Sequence, residues 1–180
     1  MTGLVLCGGE GKRLQGVIPF GMPKCLIEVG GLPIWRYVEM AAFAAGCRDV
    51  HIAAGPYAAD FVRCGRWVVE EQGREGTTQV VSRCPDRPLA VFNGDTLLFG
   101  QFEIPEASGL LRVLGRNRVT GGSGESVFRV VGPEAGLSGS RNVEDLNPTM
   151  VVDLSSTLAF IDVGTPQGLA HALAEARKWS

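Results

Sequence analysis

The stretch Gly3-Leu4-Val5-Leu6-Cys7-Gly8-Gly9-Glu10-Gly11-Lys12-Arg13-Leu14 decides how the rest of the chain is read. A short apolar run stops at Gly8, Gly9 and Gly11, and a Lys-Arg pair follows at once. Apolar runs of this length bounded by glycine read as a buried strand. Glycine lets the backbone turn and brings its N–H groups close to a ligand with no side chain between. Successive N–H groups beside two cations make a site for a polyanion, most simply phosphate.

Two other phosphate loops are excluded by spacing. A dinucleotide fingerprint needs a glycine where Leu14 stands and a helix opening there, whereas Pro19 and Pro23 keep the segment after Leu14 irregular. The P-loop pattern fails because Arg13, not Ser or Thr, follows Gly11-Lys12.

Working outward, Cys25–Val29 reads as a short strand closed by Gly30-Gly31. Pro33 then opens a helix through about Ala45, with Ile34, Val38, Ala41, Ala42 and Ala45 at helical spacing and Gly46 as its stop. Val50–Ala54 is a strand, Gly55-Pro56 opens a short helix to about Cys64, and Trp67–Val69 is a third strand. Glu70–Gly76 is a polar loop, followed by a short helix to about Arg83. Leu89–Phe92 is a fourth strand, ending at Asn93-Gly94-Asp95. Strands alternating with helices imply βαβ units and a parallel sheet. Beyond Asp95 the pattern changes to short apolar runs at 110–113, 126–131, 150–154 and 157–161, separated by turns, which predicts a mixed or antiparallel extension. Thr165-Pro166 caps a closing helix to about Lys178 with Leu169, Leu173 and Ala176 on one side. The expected architecture is α/β, a mostly parallel, Rossmann-like three-layer sheet with that short extension. All 180 residues form one domain by the length prior.

Net charge is -2, so no global basic field exists to hold nucleic acid and an anion site must be local. Cys7, Cys25, Cys47, Cys64 and Cys84 are odd in number and contain no C-x-x-C pair, which reads as reduced thiols rather than a disulfide framework or zinc site. Cys7 and Cys25 flank the loop as small apolar side chains. No leader pattern follows Met1, and no run nears the ~18 apolar residues of a membrane span. The expectation is therefore a soluble, cytoplasmic protein with no membrane partner. His51 and His171 read as structural or solvated side chains.

The loop, with Pro23-Lys24-Cys25-Leu26-Ile27-Glu28-Val29-Gly30-Gly31-Leu32-Pro33, Asn93-Gly94-Asp95 and Phe160-Ile161-Asp162-Val163-Gly164-Thr165-Pro166, resembles the sugar-1-phosphate nucleotidylyltransferases. The family pattern is close to G-G-x-G-T-R-L, then P-K-P-L, then G-x-P. The Val17-Ile18-Pro19 segment and the block around Asp162 look most like the heptose-1-phosphate guanylyltransferase and muramate uridylyltransferase branch. The resemblance implies the nucleotide-diphospho-sugar transferase fold and transfer of a nucleoside monophosphate from an NTP (GTP, UTP or CTP) to a sugar 1-phosphate or similar small phosphate. Pyrophosphate leaves and Mg²⁺ assists. Residues 1–95 would then be the nucleotide-binding half and residues 96–180 a reduced acceptor-binding half.

By resemblance, Arg13 contacts the β and γ phosphates and Lys24 lies near the α-phosphate or the incoming phosphate, which makes both catalytic. Nucleotide contacts are implied at Leu6, Gly8, Gly9, Gly11, Lys12 and Arg13, and again at Asn93, Gly94 and Asp95. Gly76 would pass under the base and Thr77 would hydrogen-bond it. Asp95 ends a strand where ligands of open α/β sheets bind, and Asp162 occupies the matching place in the second half. Two such carboxylates suit Mg²⁺, with Asp153 as an alternative second ligand. No general base is needed, because a phosphate monoester with a second pKa of about 6 is already mostly dianionic at neutral pH.

The chain departs from the pattern at Lys12, where a small hydroxyl residue is usual, and at Cys25, where proline is frequent. Its only lysines are Lys12, Lys24 and Lys178, so the family's mid-chain lysine for the sugar phosphate is missing. Arg118 or Arg129 is the candidate replacement, since guanidinium binds phosphate bidentately. The segment between Asp95 and Asp162 is short for the family. Two alternatives stay open: a trimmed, non-catalytic nucleotide-binding module, and a nucleotidylyltransferase with a non-sugar acceptor such as molybdopterin or phosphocholine.

Overall fold

The apolar run Thr2–Leu6 is strand β1, central in a mixed sheet. The computed structural model describes residues 1–9, 11–19, 21–62, 68–69 and 76–179, without the side chains of Pro56, Asp60, Val62, Val68 and Val69. After β1, Lys12–Leu14 and Lys24–Leu26 are single 3₁₀ turns. Strands β2 (Glu28–Val29) and β3 (Leu32–Pro33) form a small hairpin. The predicted strand over Cys25–Val29 is thus mostly a turn, because Pro23 starts a 3₁₀ turn that Ile27 ends. Pro33 sits just outside helix α1 (Ile34–Ala44) rather than within it.

The remaining elements are β4 (Asp49–Ala53), α2 (Ala58–Val62), β5 (Val68–Val69), α3 (Thr77–Arg83) and β6 (Leu89–Asn93), followed by β7 (Thr96–Phe99), β8 (Leu110–Asn117), β9 (Glu125–Val131), β10 (Met150–Asp153), β11 (Ala159–Asp162) and α4 (Pro166–Ala176). Cys64, Trp67 and residues 70–75 of the expected polar loop lie outside the described residues.

The sheet runs β5-β4-β1-β6-β9-β8-β11-β7, with β10 also paired to β8. β5, β4, β1 and β6 are parallel, as βαβ connections require. β9 is antiparallel to both β6 and β8, which makes the extension mixed. β7 was not resolved as a separate strand from sequence. It pairs antiparallel with β11, placing Thr96 opposite Asp162.

Alternation along the strands divides the core in two. Val5, Ile52 and Phe92 face α1 and α4, where Ile34, Val38, Ala42, Leu169 and Ala172 are buried. Leu4, Ala53 and Val91 face the other side, covered by Val80 and Val81 of α3 and by Val143. This gives the three-layer α/β arrangement expected. On α4 the buried stripe is Leu169 and Ala172, while Leu173 is 41% exposed. Residues 169 and 173 differ by a little more than one turn, which leaves Leu173 at the edge of the face that buries Gly168, Leu169 and Ala172. Among the described residues no helix is long and apolar enough to cross a membrane.

Candidate active site

The carboxyl ends of β1 and β6 lie side by side, with Leu6 opposite Asn93. The Gly94 N–H donates to the Leu6 carbonyl at 2.9 Å. A methyl group at Gly94 would stand 2.6 Å from Cys7 Sγ and 2.7 Å from the Leu6 oxygen, so only glycine lets the Asn93-Gly94-Asp95 turn close onto β1. That contact sets Asp95 beside the glycine loop.

Lys24 reaches the same place from the 3₁₀ turn that follows Pro23. Its stem crosses the loop: a methyl at Gly9 would lie 2.9 Å from Lys24 Cε, and one at Gly11 would lie 3.1 Å from Lys24 Cγ. Gly11 also needs its positive φ of 65°. The loop glycines therefore have a second use besides exposing N–H groups. They make room for the lysine, whose Nζ forms a close ion pair with Asp95 Oδ2. Lys24 and Asp95 are 20% and 12% exposed, dry enough for the pair to be weakly screened.

Asp162 arrives from the end of β11. Its Oδ1 accepts from the Gly164 N–H at 2.8 Å, and its Oδ2 lies 3.6 Å from the Arg13 guanidinium. Thr165 caps α4 through Gly168 N–H at 3.1 Å, as its sequence position implies. The three charged groups meet at Gly164. A methyl there would overlap Asp95 Oδ2, stand 2.9 Å from Asp162 Oδ1 and stand 3.1 Å from Lys24 Nζ.

Burial, and then the charge of Asp95, push the Asp162 carboxyl above its ordinary range, against the pull of Arg13, the Gly164 N–H and Lys24. A carboxyl raised in the folded state holds its proton more readily there than in the unfolded chain. Its contribution to stability is complete below the ordinary carboxylate pKa and is lost as pH rises through the raised value. Asp162→Asn, which keeps an oxygen for the Gly164 N–H, should therefore raise the melting temperature at about pH 7 and change it little near pH 4, at the ordinary carboxylate pKa. Equal shifts at both pH values would show that Asp162 is not destabilised by its charge.

Two cavities open at this cluster. One, of about 390 Å³, is lined by Leu6, Gly8, Gly9, Lys24, Asn93 and Asp95, and also by Gly76, Thr77 and Glu144. The other, of about 600 Å³, is lined by Arg13, Lys24, Asp95 and Asp162 with Asn117, Glu125 and Ser126. Lys24 and Asp95 stand between them. Lys12 is exposed on its turn and lines neither cavity.

Gly76 has the Arg141 carbonyl packed where a side chain would stand. Thr77 Oγ1 donates to Glu144 Oε2 at 2.9 Å and accepts from the Val143 N–H at 2.9 Å. The two candidate phosphate arginines line neither cavity. Arg129 is 4% exposed and donates to Ser126 Oγ at 3.0 Å and the Glu144 carbonyl at 2.7 Å. Burial and the neighbouring Arg112 lower its pKa to about 10, so it stays charged at neutral pH. Arg118 stacks 4.5 Å over the Phe99 ring and pairs with Glu175 at 3.1 Å. Asp153 accepts from the Ser155 N–H at 2.8 Å and likewise lines neither cavity.

Sequence reasoning passed over Asn117, Glu125 and Glu144. Asn117 Nδ2 donates to Glu125 Oε2 at 2.9 Å, and Thr120 Oγ1 donates to Glu125 Oε1 at 3.0 Å, forming a polar wall. For Asn117 the signal available was a polar residue just beyond the carboxyl end of the predicted strand 110–113, where sites of open sheets collect; Glu125 and Glu144 carried no such signal.

The fold is similar to that of several solved proteins. A structure described as a glucose-1-phosphate thymidylyltransferase from Bacillus anthracis superposes with a TM-score of 0.74 at 17% identity, covering 98% of this chain and 96% of that one. The inositol-1-phosphate CTP transferase of T. maritima gives 0.70 at 13% identity, with 98% and 96% covered. A UDP-glucose pyrophosphorylase complexed with UDP-glucose gives 0.69 at 12% identity, with 99% of both chains covered. At these identities the likeness is one of fold. No curated protein matches the chain by sequence. The model of the MobA-like NTP transferase domain matches residues 3–101. That is more than half the chain, and it contains the glycine loop, Lys24 and Asp95; the chain belongs to the MobA-like NTP transferase domain family and is a nucleotidyltransferase.

Proposed function

We propose that the chain transfers a nucleoside monophosphate from an NTP to a sugar 1-phosphate or similar small phosphate, releasing pyrophosphate with the help of Mg²⁺. The observation that carries this reading is the meeting of Lys24, Asp95 and Asp162 at Gly164, between two cavities. The smaller cavity, under the glycine loop, takes the nucleotide. The larger, with its Asn117–Glu125 wall, takes the acceptor. Residues 1–95 supply most of the donor cavity and residues 96–180 much of the acceptor cavity, with Glu144 reaching into the first and Arg13 and Lys24 into the second, in cytoplasm that keeps the buried thiols reduced.

A phosphate oxygen of the acceptor attacks the α-phosphorus, a new P–O bond forms, and the bond to the β-phosphate oxygen breaks as pyrophosphate departs. The acceptor phosphate is dianionic at neutral pH, so no protein base is required. What the chain supplies is positioning and positive charge where the two anions converge. Lys24, held by Asp95, stands at that point. Arg13 is 61% exposed and free to swing from Asp162 to the departing pyrophosphate.

The donor set fits Mg²⁺: Asp95 and Asp162 offer carboxylate oxygens at neighbouring strand ends, and oxygen is the ligand this ion takes. Bound there, it would neutralise phosphate charge. Neither Arg118 nor Arg129 faces the acceptor cavity, so Lys24 and Arg13 serve the acceptor phosphate as well. The motif resemblance favours the heptose-1-phosphate guanylyltransferase and muramate uridylyltransferase branch, and the short segment between Asp95 and Asp162 leaves the acceptor to be identified by assay. Incubating the protein with each NTP, Mg²⁺ and a panel of sugar 1-phosphates tests the proposal. Pyrophosphate release that requires one acceptor supports it. NTP binding without release in any combination would instead indicate a non-catalytic nucleotide-binding module.

A further inference from the structure

The nucleotide cavity holds a carboxylate that phosphate chemistry does not use. Glu144 belongs to a 3₁₀ turn, Val143–Asp145, that packs against the start of α3 and lines the cavity with Gly76 and Thr77. Three hydrogen bonds place it. Thr77 Oγ1 donates to Glu144 Oε2 at 2.9 Å, the Val143 N–H donates to Thr77 Oγ1 at 2.9 Å, and the buried Arg129 donates to the Glu144 carbonyl at 2.7 Å. Thr77 has one proton, and it is committed to Glu144. Of the Thr77–Glu144 pair, the donor is thus used up and the group left for a ligand is the carboxylate, which has lone pairs remaining after Thr77 is served, while Arg141 and Asn142 line the cavity beside it.

Resting on the assignment of this cavity to an NTP, we infer that Glu144 is the specificity-determining residue of the nucleotide site and that it selects guanine. A carboxylate accepts two hydrogen bonds side by side and donates none. Guanine presents its N1–H and its 2-amino group on adjacent atoms, two donors matched to two acceptor oxygens. Uracil and thymine place one N–H between carbonyls, which would face the negative charge. Adenine and cytosine each set an amino group beside a bare ring nitrogen, which repels a carboxylate. Selection thus combines attraction for guanine with repulsion of the others. Thr77 and Arg129 are positioning residues for Glu144.

Calorimetric titration of the full chain with Mg²⁺ and GTP, ITP, XTP, ATP, UTP or CTP tests this. GTP should bind at least about tenfold more tightly than ATP, UTP or CTP, and ITP, which lacks the 2-amino group, should lose about tenfold. Glu144→Gln keeps an oxygen for Thr77, and its amide pairs one acceptor and one donor with the N1–H and C2 carbonyl of xanthine. The variant should reverse the preference so that XTP binds more tightly than GTP. A merely structural role for Glu144 would weaken all nucleotides alike. Wild-type protein that binds ATP, UTP or CTP as well as GTP, or that ignores the change from GTP to ITP, overturns the inference without any variant. So does a Glu144→Gln protein with an unchanged GTP-to-XTP ratio. Failure of every NTP to bind would overturn the nucleotide assignment itself, a distinct result.

Discussion

Lys24→Met should lower the rate of pyrophosphate release by about 100- to 1,000-fold, the usual cost of removing one group aimed at charge that develops in a transition state. The side chain is 20% exposed, its stem is fixed across Gly9 and Gly11, and its ammonium is held by Asp95. On the proposed mechanism it therefore pays little reorganisation when the acceptor and the α-phosphorus meet. Methionine matches its length without its charge. The variant also leaves Asp95 unpaired beside Asp162, so its melting temperature should fall. Combining it with Asp95→Asn removes the orphaned charge and should restore the melting temperature, but not the rate. Recovery of both would mean that Lys24 only stabilises the fold.

Gly164→Ala should cost about 100-fold in rate, the scale expected for a displacement of reacting groups by about 1 Å. Gly164 is not among the glycines with positive φ, so alanine suits its backbone. The added methyl instead meets Asp95 Oδ2, Asp162 Oδ1 and Lys24 Nζ together, and one or more of them must move. Gly136→Ala is the control, since no atom lies within 4 Å of its methyl and its φ is ordinary. Steady-state rates and melting curves of the two variants separate the effects. Gly164→Ala should melt close to wild type while losing rate, and Gly136→Ala should change neither. Full activity in Gly164→Ala would show that the cluster is not where chemistry occurs.

The parts of the fold visible in sequence are those governed by local rules. β1 and β6 are continuous apolar runs stopped by glycine turns, and Thr165-Pro166 carries a helix cap that the structure forms. Cys25–Val29 misled because an apolar run of strand length sits behind a proline that begins a 3₁₀ turn. β7 was missed because Thr96–Phe99 follows Asp95 with no break, and only its pairing with β11 makes it a separate strand. That pairing brings Asp162 beside Asp95, a non-local event that no spacing along the chain displays. Glu144 was invisible for the same reason. Its turn meets Thr77 from 67 positions away, through a contact of one side chain with another. Arg118 and Arg129 show the converse: guanidinium groups suited to phosphate by chemistry are occupied by Phe99 and Glu175 in one case, and by Ser126 and the Glu144 carbonyl in the other.

Phosphorus NMR of the protein with Mg²⁺, GTP and a sugar 1-phosphate tests the central claim most directly. The account predicts that the acceptor's monoester signal is replaced by the paired signals of a new diphosphate ester, with pyrophosphate rising in equal amount, and that both accumulate about 100- to 1,000-fold more slowly with Lys24→Met. A spectrum in which GTP is bound yet unchanged with every acceptor, or gives only orthophosphate, would contradict it.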